Sequence, residues 1–282
     1  MFQQPQAKIN LGLYVTERRP DGYHNLQTCF YPIPLTDNLE IKELRNSNEP
    51  WSLQVAGNEV EGDAKDNLVV RAYESLREEF ASLPPVDIYL YKRIPTGAGL
   101  GGGSSDAAAA LCMLNDMFAL GLSADELERR AARLGADCAF FVRSRPAMAE
   151  GIGDILTPCD VSLRGWEMVL VKPDDFVSTR EAYAHVRPRP VLRGDAERMP
   201  IADVLRRPVE EWRGRLSNDF EDSVFLSHPR IAAIKETLYD MGAAYASMSG
   251  SGAAVFGLFR HRPESAEEVF KDCFLHQARL LK

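Results

Sequence analysis

The chain has 282 residues, with 33 basic and 41 acidic side chains and a formal charge of −8. Apolar residues at 45% and charged residues at 26% are the balance of a folded globular protein, which excludes a collagen-like or wholly disordered chain. At roughly 150 residues per domain the length predicts two domains or one large one. The acidic balance argues against a general binder of nucleic acid or of anionic membranes, whose affinity comes from clustered lysine and arginine.

Lys8 to Val15 and Cys29 to Pro32 are apolar stretches on either side of the turn residues Arg18-Arg19-Pro20-Asp21-Gly22, which predicts strand, turn, strand. Asn38 to Leu44 and Trp51 to Val55 alternate as two further strands. Val69, Ala72, Tyr73, Leu76 and Phe80 recur with a helical period, so Asn67 to Phe80 is predicted as a helix. Val86 to Arg93 returns to alternation and feeds a glycine-rich loop, followed by an alanine-rich helix from about Ser104. Ser123 and Glu126 form a capping box at the start of the next helix, and Gly135 ends it. The apolar run Cys138 to Val142 follows, and residues 143 to 165, with scattered Gly and Pro, read as loop.

A domain boundary is placed near residue 155, giving domains 1–155 and 156–282. Beyond it, Trp166 to Val171 is a buried-strand pattern and Arg187 to Pro200 an exposed loop. Asn218 to Leu226 and Pro229 to Met241 are helical, the second opened by proline and closed by Gly242. Ala244 to Met248 and Ala253 to Phe259 are strands flanking Ser249-Gly250-Ser251-Gly252, and a helix over Pro263 to Phe274 precedes a short final strand. Strands and helices mix without regular alternation, so the fold class is α+β. The five cysteines are scattered, without a Cys-x-x-Cys pair, and the five histidines lack metal-ligand spacing. The expected state is buried free thiols in a reducing compartment. No run approaches the ~18 apolar residues of a membrane span, and the reading is a cytoplasmic protein without a membrane partner.

Five of the seven residues from Gly97 to Gly103 are glycine. Without Cβ atoms such a loop can turn its amides inward and let a bulky anion approach, and the helix that follows adds open amides and partial positive charge. Strand, loop and helix start together make a site suited to a polyphosphate. Gly97, Gly99 and Gly102 match G-x-G-x-x-G, but a dinucleotide fold needs a strand after the helix, where Ala124 to Leu134 reads as another helix. No lysine lies between Arg93 and Ser123, which excludes a Walker loop, and His-Arg-Asp and Asp-Phe-Gly are both absent, which excludes a protein kinase.

The segment Pro95-Thr96-Gly97-Ala98-Gly99-Leu100-Gly101-Gly102-Gly103-Ser104-Ser105 resembles the phosphate loop of the GHMP small-molecule kinases. Ala7-Lys8-Ile9-Asn10-Leu11, Asp21-Gly22-Tyr23-His24 and Gly135-Ala136-Asp137 are similar to the subgroup that acts on 4-diphosphocytidyl-2-C-methyl-D-erythritol, and Ser249 to Gly252 resembles the family's third motif. The resemblance implies a two-domain fold, with a ribosomal-protein-S5-like nucleotide-binding domain and a ferredoxin-like C-terminal domain. It also implies phosphorylation of the substrate's 2-hydroxyl by ATP with Mg²⁺. The alternatives are another GHMP kinase, for mevalonate, homoserine or a sugar, or an inactive nucleotide-binding regulator.

By the same resemblance Asp137 is the general base and Lys8 its cationic neighbour. Asn10, two residues along a strand and so on the same face, hydrogen-bonds the acceptor. Tyr23 and His24 serve the cytosine, by stacking and by an edge hydrogen bond, with Tyr183 as the aromatic on the base's other face. Pro95, Thr96 and Gly97 to Ser105 hold the ATP phosphates, Asn67 and Lys92 lie near adenine and ribose, and Gly250 and Gly252 close against the substrate. Many members of the family read Gly-Ser-Ser where this chain has Gly101-Gly102-Gly103-Ser104. That departure leaves the loop without an assigned magnesium ligand, and Asp106, at the helix start, without an evident role.

Overall fold

The computed structural model describes residues 1–44, 48–60, 62–191 and 198–281. In chain order the elements are β1 (Phe2–Gln3), β2 (Gln6–Arg18), β3 (His24–Thr36), β4 (Asn38–Glu43), β5 (Trp51–Gly57), α1 (Leu68–Glu79), β6 (Val86–Lys92), α2 (Gly102–Met117), α3 (Ala124–Leu134) and α4 (Cys138–Arg143). There follow β7 (Ala147–Glu150), β8 (Ile155–Pro158), β9 (Glu167–Lys172), α5 (Thr179–His185), α6 (Ile201–Leu205), α7 (Glu221–Ser227), α8 (Pro229–Asp240), β10 (Tyr245–Met248), β11 (Val255–Phe259), α9 (Ala266–Val269) and β12 (Phe274–Arg279). They gather into two compact units. The first is Met1–Ala7, Leu35–Thr96 and Gly101–Arg145; the second is Lys8–Pro34, Gly97–Leu100 and Pro146–Lys282.

In the first unit the sheet runs β1-β4-β6-β5, with β5 parallel to β6 and β4 antiparallel to it. A parallel pair needs a crossover, and α1 supplies it. Val86, Ile88 and Leu90 of β6 are buried while Tyr89 and Tyr91 between them are exposed, as the period of two requires. Asn67 caps α1, its side chain accepting from the Val69 amide at 3.0 Å. Helix α2 buries Ala107 to Leu111 continuously and packs against α1, α3 and α4. Its alanines let those three helices approach closely. The capping box of α3 is present in both directions, the Ser123 hydroxyl meeting the Glu126 amide and the Glu126 carboxylate the Ser123 amide.

In the second unit one sheet runs β2-β3-β7-β8 and another β10-β11-β9-β12. Strand β9 lies between β11 and β12, antiparallel to both, and its run Met168 to Val171 is buried throughout. That burial on two faces explains a continuous apolar stretch where an edge strand would alternate. Ile231, Ile234 and Leu238 of α8 join Val169, Val171 and Val255 in the core.

The structure corrects three expectations. Residues 143 to 165 are not loop throughout, since β7 and β8 form an antiparallel hairpin there. Each strand has four residues, too few for a period to register. The helix expected over Pro263 to Phe274 contracts to Ala266–Val269, where Ala266 is the one residue of the helix that is buried. Two short helices, α5 and α6, were not expected at all. Of the loop from Arg187 to Pro200, residues 192–197 lie outside the described residues. Among the described residues no helix is long and apolar enough to cross a membrane.

Candidate active site

The glycine loop divides between the units: Gly97–Leu100 pack in the second and the residues from Gly101 onward in the first. In the second unit Lys8 and Asn10, alternate residues of β2, turn the same way and are both buried. The Lys8 ammonium donates to Asn10 Oδ1 at 2.7 Å and to the Gly99 carbonyl at 2.9 Å. It also lies 5.0 Å from the centroid of the Phe30 ring, a favourable place for a cation. Asn10 Nδ2 donates to Thr28 Oγ1 at 2.9 Å, and the Thr28 hydroxyl donates to the Gly12 carbonyl. Amide and hydroxyl thereby fix which way Asn10 presents its oxygen.

The third glycine segment closes on the first. Ser249 Oγ donates to the same Gly99 carbonyl at 2.9 Å, and the Ala254 amide donates to the Ala98 carbonyl at 3.3 Å. On the other side the Lys8 amide donates to the Leu100 carbonyl at 3.0 Å. Asn218 Nδ2 donates to the carbonyls of Met248 and Gly250, both at 2.8 Å, and so holds the Ser249 turn from behind. Gly99 has φ +72°, and a Cβ there would lie 1.9 Å from the Ser249 carbonyl oxygen. Only glycine fits, on both counts. A left-handed φ costs alanine about 1–2 kcal/mol, and the overlap must also displace the Ser249 backbone. Gly99→Ala is therefore expected to weaken ATP at least about tenfold, since 1.4 kcal/mol is one decade. The KM for ATP measures it, and an unchanged KM refutes the tight fit.

In the first unit Gly101 has a left-handed backbone (φ +71°) and serves as N-cap of α2. The first bond from an amide of this helix runs from Ser105 N–H to the Gly101 carbonyl at 2.9 Å. The amides of Gly102, Gly103 and Ser104 precede it and belong to the open end of the helix, where an anion is favoured. Helix α4 packs against α2. Cys138 opens α4, and Asp137 is its N-cap residue, so α2 and the segment bearing Asp137 are tied together.

Beneath the loop lies a buried cluster. Lys92 Nζ is bonded to Asp37 Oδ2 and, at 2.6 Å, to Asp106 Oδ2. A Cβ on Gly102 would sit 3.3 Å from that ammonium, so the cluster supports the first turn of α2 directly. Asp37 Oδ1 accepts from the amides of Arg93 at 2.5 Å and Ile94 at 2.8 Å, which fixes the exit from β6 into the loop. Burial first, and the Asp37 carboxylate second, push the Asp106 carboxyl up to about 7 against the pull of Lys92. Asp106 Oδ1 is buried without a hydrogen-bond partner.

The remaining expected residues fall as follows. Thr96 Oγ1 donates to the Glu59 carbonyl at 3.2 Å, and Pro95 precedes it in the first unit. Asn67 acts as the helix cap already described. His24 and Tyr183 stack on each other, with centroids 5.1 Å apart and planes 25° apart, and Phe220 meets the Tyr183 ring edge-on at 4.8 Å. Burial and the neighbouring Arg18 charge hold His24 below its ordinary pKa. Its neutral ring has one donor and one acceptor, which is what the edge of a base requires. Tyr23 is 62% exposed. Gly250 adjoins Gly99, since a Cβ there would lie 3.2 Å from its Cα, and a Cβ at Gly252 would meet Met248 Sδ at 2.8 Å.

Sequence reasoning missed Asp37, Thr28, Asn218 and the hydroxyl of Ser249 as parts of this machinery. It also missed Arg198, which grips Asp219 through two nitrogens at 3.0 and 2.6 Å while Asp219 accepts from the Val15 amide at 2.7 Å. Among the described residues no group of three or more His, Cys, Asp or Glu is placed to hold a metal ion.

Comparison with known proteins matches this geometry to a family. Residues 67–145 match the GHMP kinases N terminal domain and residues 201–274 the GHMP kinases C terminal domain. A 4-diphosphocytidyl-2-C-methyl-D-erythritol kinase of Bacteroides fragilis is 53% identical over 99% of this chain and 100% of its own. One from Bacteroides thetaiotaomicron is 55% identical over 92% of each chain. A crystal structure of a 4-(cytidine 5'-diphospho)-2C-methyl-D-erythritol kinase superposes with TM-score 0.79 at 32% identity, over 98% of both chains. Glycine loop, clasping third motif and full-length relatives agree, and the chain belongs to the GHMP kinase family.

Proposed function

We propose that this kinase transfers the γ-phosphoryl group of ATP to the 2-hydroxyl of 4-diphosphocytidyl-2-C-methyl-D-erythritol, a step of non-mevalonate isoprenoid precursor synthesis. The observation that carries the phosphoryl-transfer part is the Gly99 carbonyl, held at once by Lys8 and Ser249. The substrate rests on the relatives' names and on the stacked pair His24 and Tyr183.

Phosphoryl transfer asks a protein chiefly to position two groups and to neutralise developing charge. In this reading the segment Pro95 to Ser105 receives the phosphates, Asn67 and Lys92 lie on the nucleotide's adenine and ribose side, and Gly250 and Gly252 close over the acceptor. Asp137 takes the proton of the attacking hydroxyl, Lys8 offsets negative charge, and Asn10 orients the acceptor. Tyr23, His24 and Tyr183 hold the cytosine. Magnesium enters as the partner of ATP, bound by phosphates and water in the manner usual for that ion. Asp106, the acidic side chain nearest the loop in sequence, is committed to Lys92. The sequence division near residue 155 is kept as a proposal, supported by family matches that end at 145 and resume at 201. We place the reaction in the cytoplasm, where ATP is made and free cysteines persist.

The test offers purified protein ATP, Mg²⁺ and a panel of the diphosphocytidyl alcohol, mevalonate, homoserine and a sugar, and follows ADP release. Turnover with the first alone is expected. Turnover with mevalonate and none with the cytidine compound overturns the substrate; no turnover with any alcohol overturns catalysis.

A further inference from the structure

The turn that carries Ser249 is held by a short stretch of chain that lies along β2. Residues 217–219 meet that strand in parallel, with Asn218 opposite Leu13. The Leu13 amide donates to the Ser217 carbonyl at 2.9 Å, and the Asp219 amide donates to the Leu13 carbonyl at 2.8 Å. Asp219 Oδ2 adds a third bond, accepting from the Val15 amide at 2.7 Å. Arg198 fastens the same carboxylate. One of its nitrogens donates to Oδ1 at 3.0 Å and another to Oδ2 at 2.6 Å, the forked match of guanidinium and carboxylate. The two side chains are 7% and 10% exposed, and the guanidinium lies 4.2 Å from the centroid of the Tyr14 ring.

A buried ion pair contributes little net stability beyond what apolar packing would, and its best-attested use is to fix a register. Here the register decides where Asn218 stands. Asn218 is buried, its Nδ2 donating to the Met248 and Gly250 carbonyls and its Oδ1 accepting from the Phe220 amide at 3.0 Å. Those two carbonyls belong to the residues on either side of Ser249. The Ser249 hydroxyl in turn meets the Gly99 carbonyl at 2.9 Å and Asn10 Oδ1 at 3.4 Å. A slip of one residue at Leu13 would take Asp219 from the Val15 amide and Asn218 from both carbonyls at once. The fork of Arg198 resists that slip, because it fixes both oxygens of Asp219. A lysine ammonium, a point charge on a flexible stem, cannot.

We propose, on the reading of the glycine loop as the ATP phosphate site, that Arg198 is a positioning residue: through Asp219 and Asn218 it holds the Ser249 hydroxyl on the Gly99 carbonyl. Without Arg198 the turn loosens, and the Gly99 carbonyl keeps Lys8 but loses Ser249. ATP must then order the loop as it binds, which lowers its affinity.

The experiment measures the dissociation constant of MgATP by calorimetry, below the melting temperature of each protein, for Arg198→Met, Ser249→Ala and the double variant. Each single change should weaken MgATP about tenfold, the scale of coupled neighbours. The double variant should stay within about twofold of the weaker single one, since both changes release the same contact, whereas independent sites would multiply to about a hundredfold. Arg198→Lys, which keeps the charge and loses the fork, should recover part of the affinity. It replaces Arg198→Met in the cycle where the methionine variant does not fold. A lowered melting temperature with an unchanged dissociation constant leaves Arg198 merely structural and overturns the proposal, as does a double variant whose effects multiply in full. Gly99→Ala separates that failure from failure of the loop: unchanged MgATP affinity there places the phosphate site elsewhere, and the role of Arg198 falls with it.

Discussion

Asp137→Asn is expected to lower kcat by about 10²–10⁴-fold, the usual cost of removing a general base, while the affinity for ATP changes little. Asp137 is the N-cap residue of α4, with φ −78° and ψ −15°, and its side chain makes no capping bond to the helix. Asparagine has the same shape and is at least as well tolerated at a helix start. Steady-state kinetics with both substrates, beside a thermal melt, separates the chemistry from the scaffold. A rate within a few-fold of wild type would remove Asp137 from the base role.

Lys92→Met is expected to destabilise the protein by about 3–5 kcal/mol, because a buried ion cluster loses its only cation among the three side chains. Asp37 and Asp106 would then face each other from buried positions, with side chains 0% and 2% exposed. The sign of the pH dependence follows. Asp106 already holds its proton up to about 7, mainly through burial and with Lys92 opposing. Loss of Lys92 raises it further, whereas the unfolded chain releases the proton near the ordinary aspartate value. Stability therefore falls as pH rises from about 4 through 7, and the deficit of the variant should be larger at pH 8 than at pH 5. Urea unfolding at the two values measures it. A contact to ATP alone would instead raise KM for ATP and leave the unfolding midpoint in place, so the same variant separates a supporting Lys92 from a nucleotide-contacting one.

Local signals carried most of the fold. The capping box at Ser123 and Glu126, the alternation of β6 and the glycine loop are short-range patterns, and each is found where its residues stand. Lys8 and Asn10 share a face because strand geometry leaves no other choice. The hairpin of β7 and β8 was hidden by its length, and its turn, bearing Gly151 and Gly153, read as mere loop. Helix α5 did carry a signal: Ser178 caps it by accepting from the Glu181 amide, the spacing also seen at Ser123 and Glu126. The buried cluster lay beyond any local pattern. Asp37 meets Lys92 across 55 positions, and nothing in the spacing of a lone aspartate marks its partner. Asp106, without an evident role when read as a helix-start acid, is held by that cation.

The Gly99 carbonyl has one further implication, for the order in which the molecule is built. Its partner Ser249 follows 150 positions later, and Asn10 stands 239 positions from the same serine. Bringing such distant segments together carries the full entropy of closing a large loop, and contacts of this kind form late. On the ribosome, α1, β6 and α2 are complete long before residue 249 is made. A chain released before that point keeps the glycine sequence but lacks the hydroxyl that grips it. The family's most recognisable motif is thus finished by a segment synthesised 150 positions later, so a truncated chain should acquire helical content well before it gains affinity for a nucleotide.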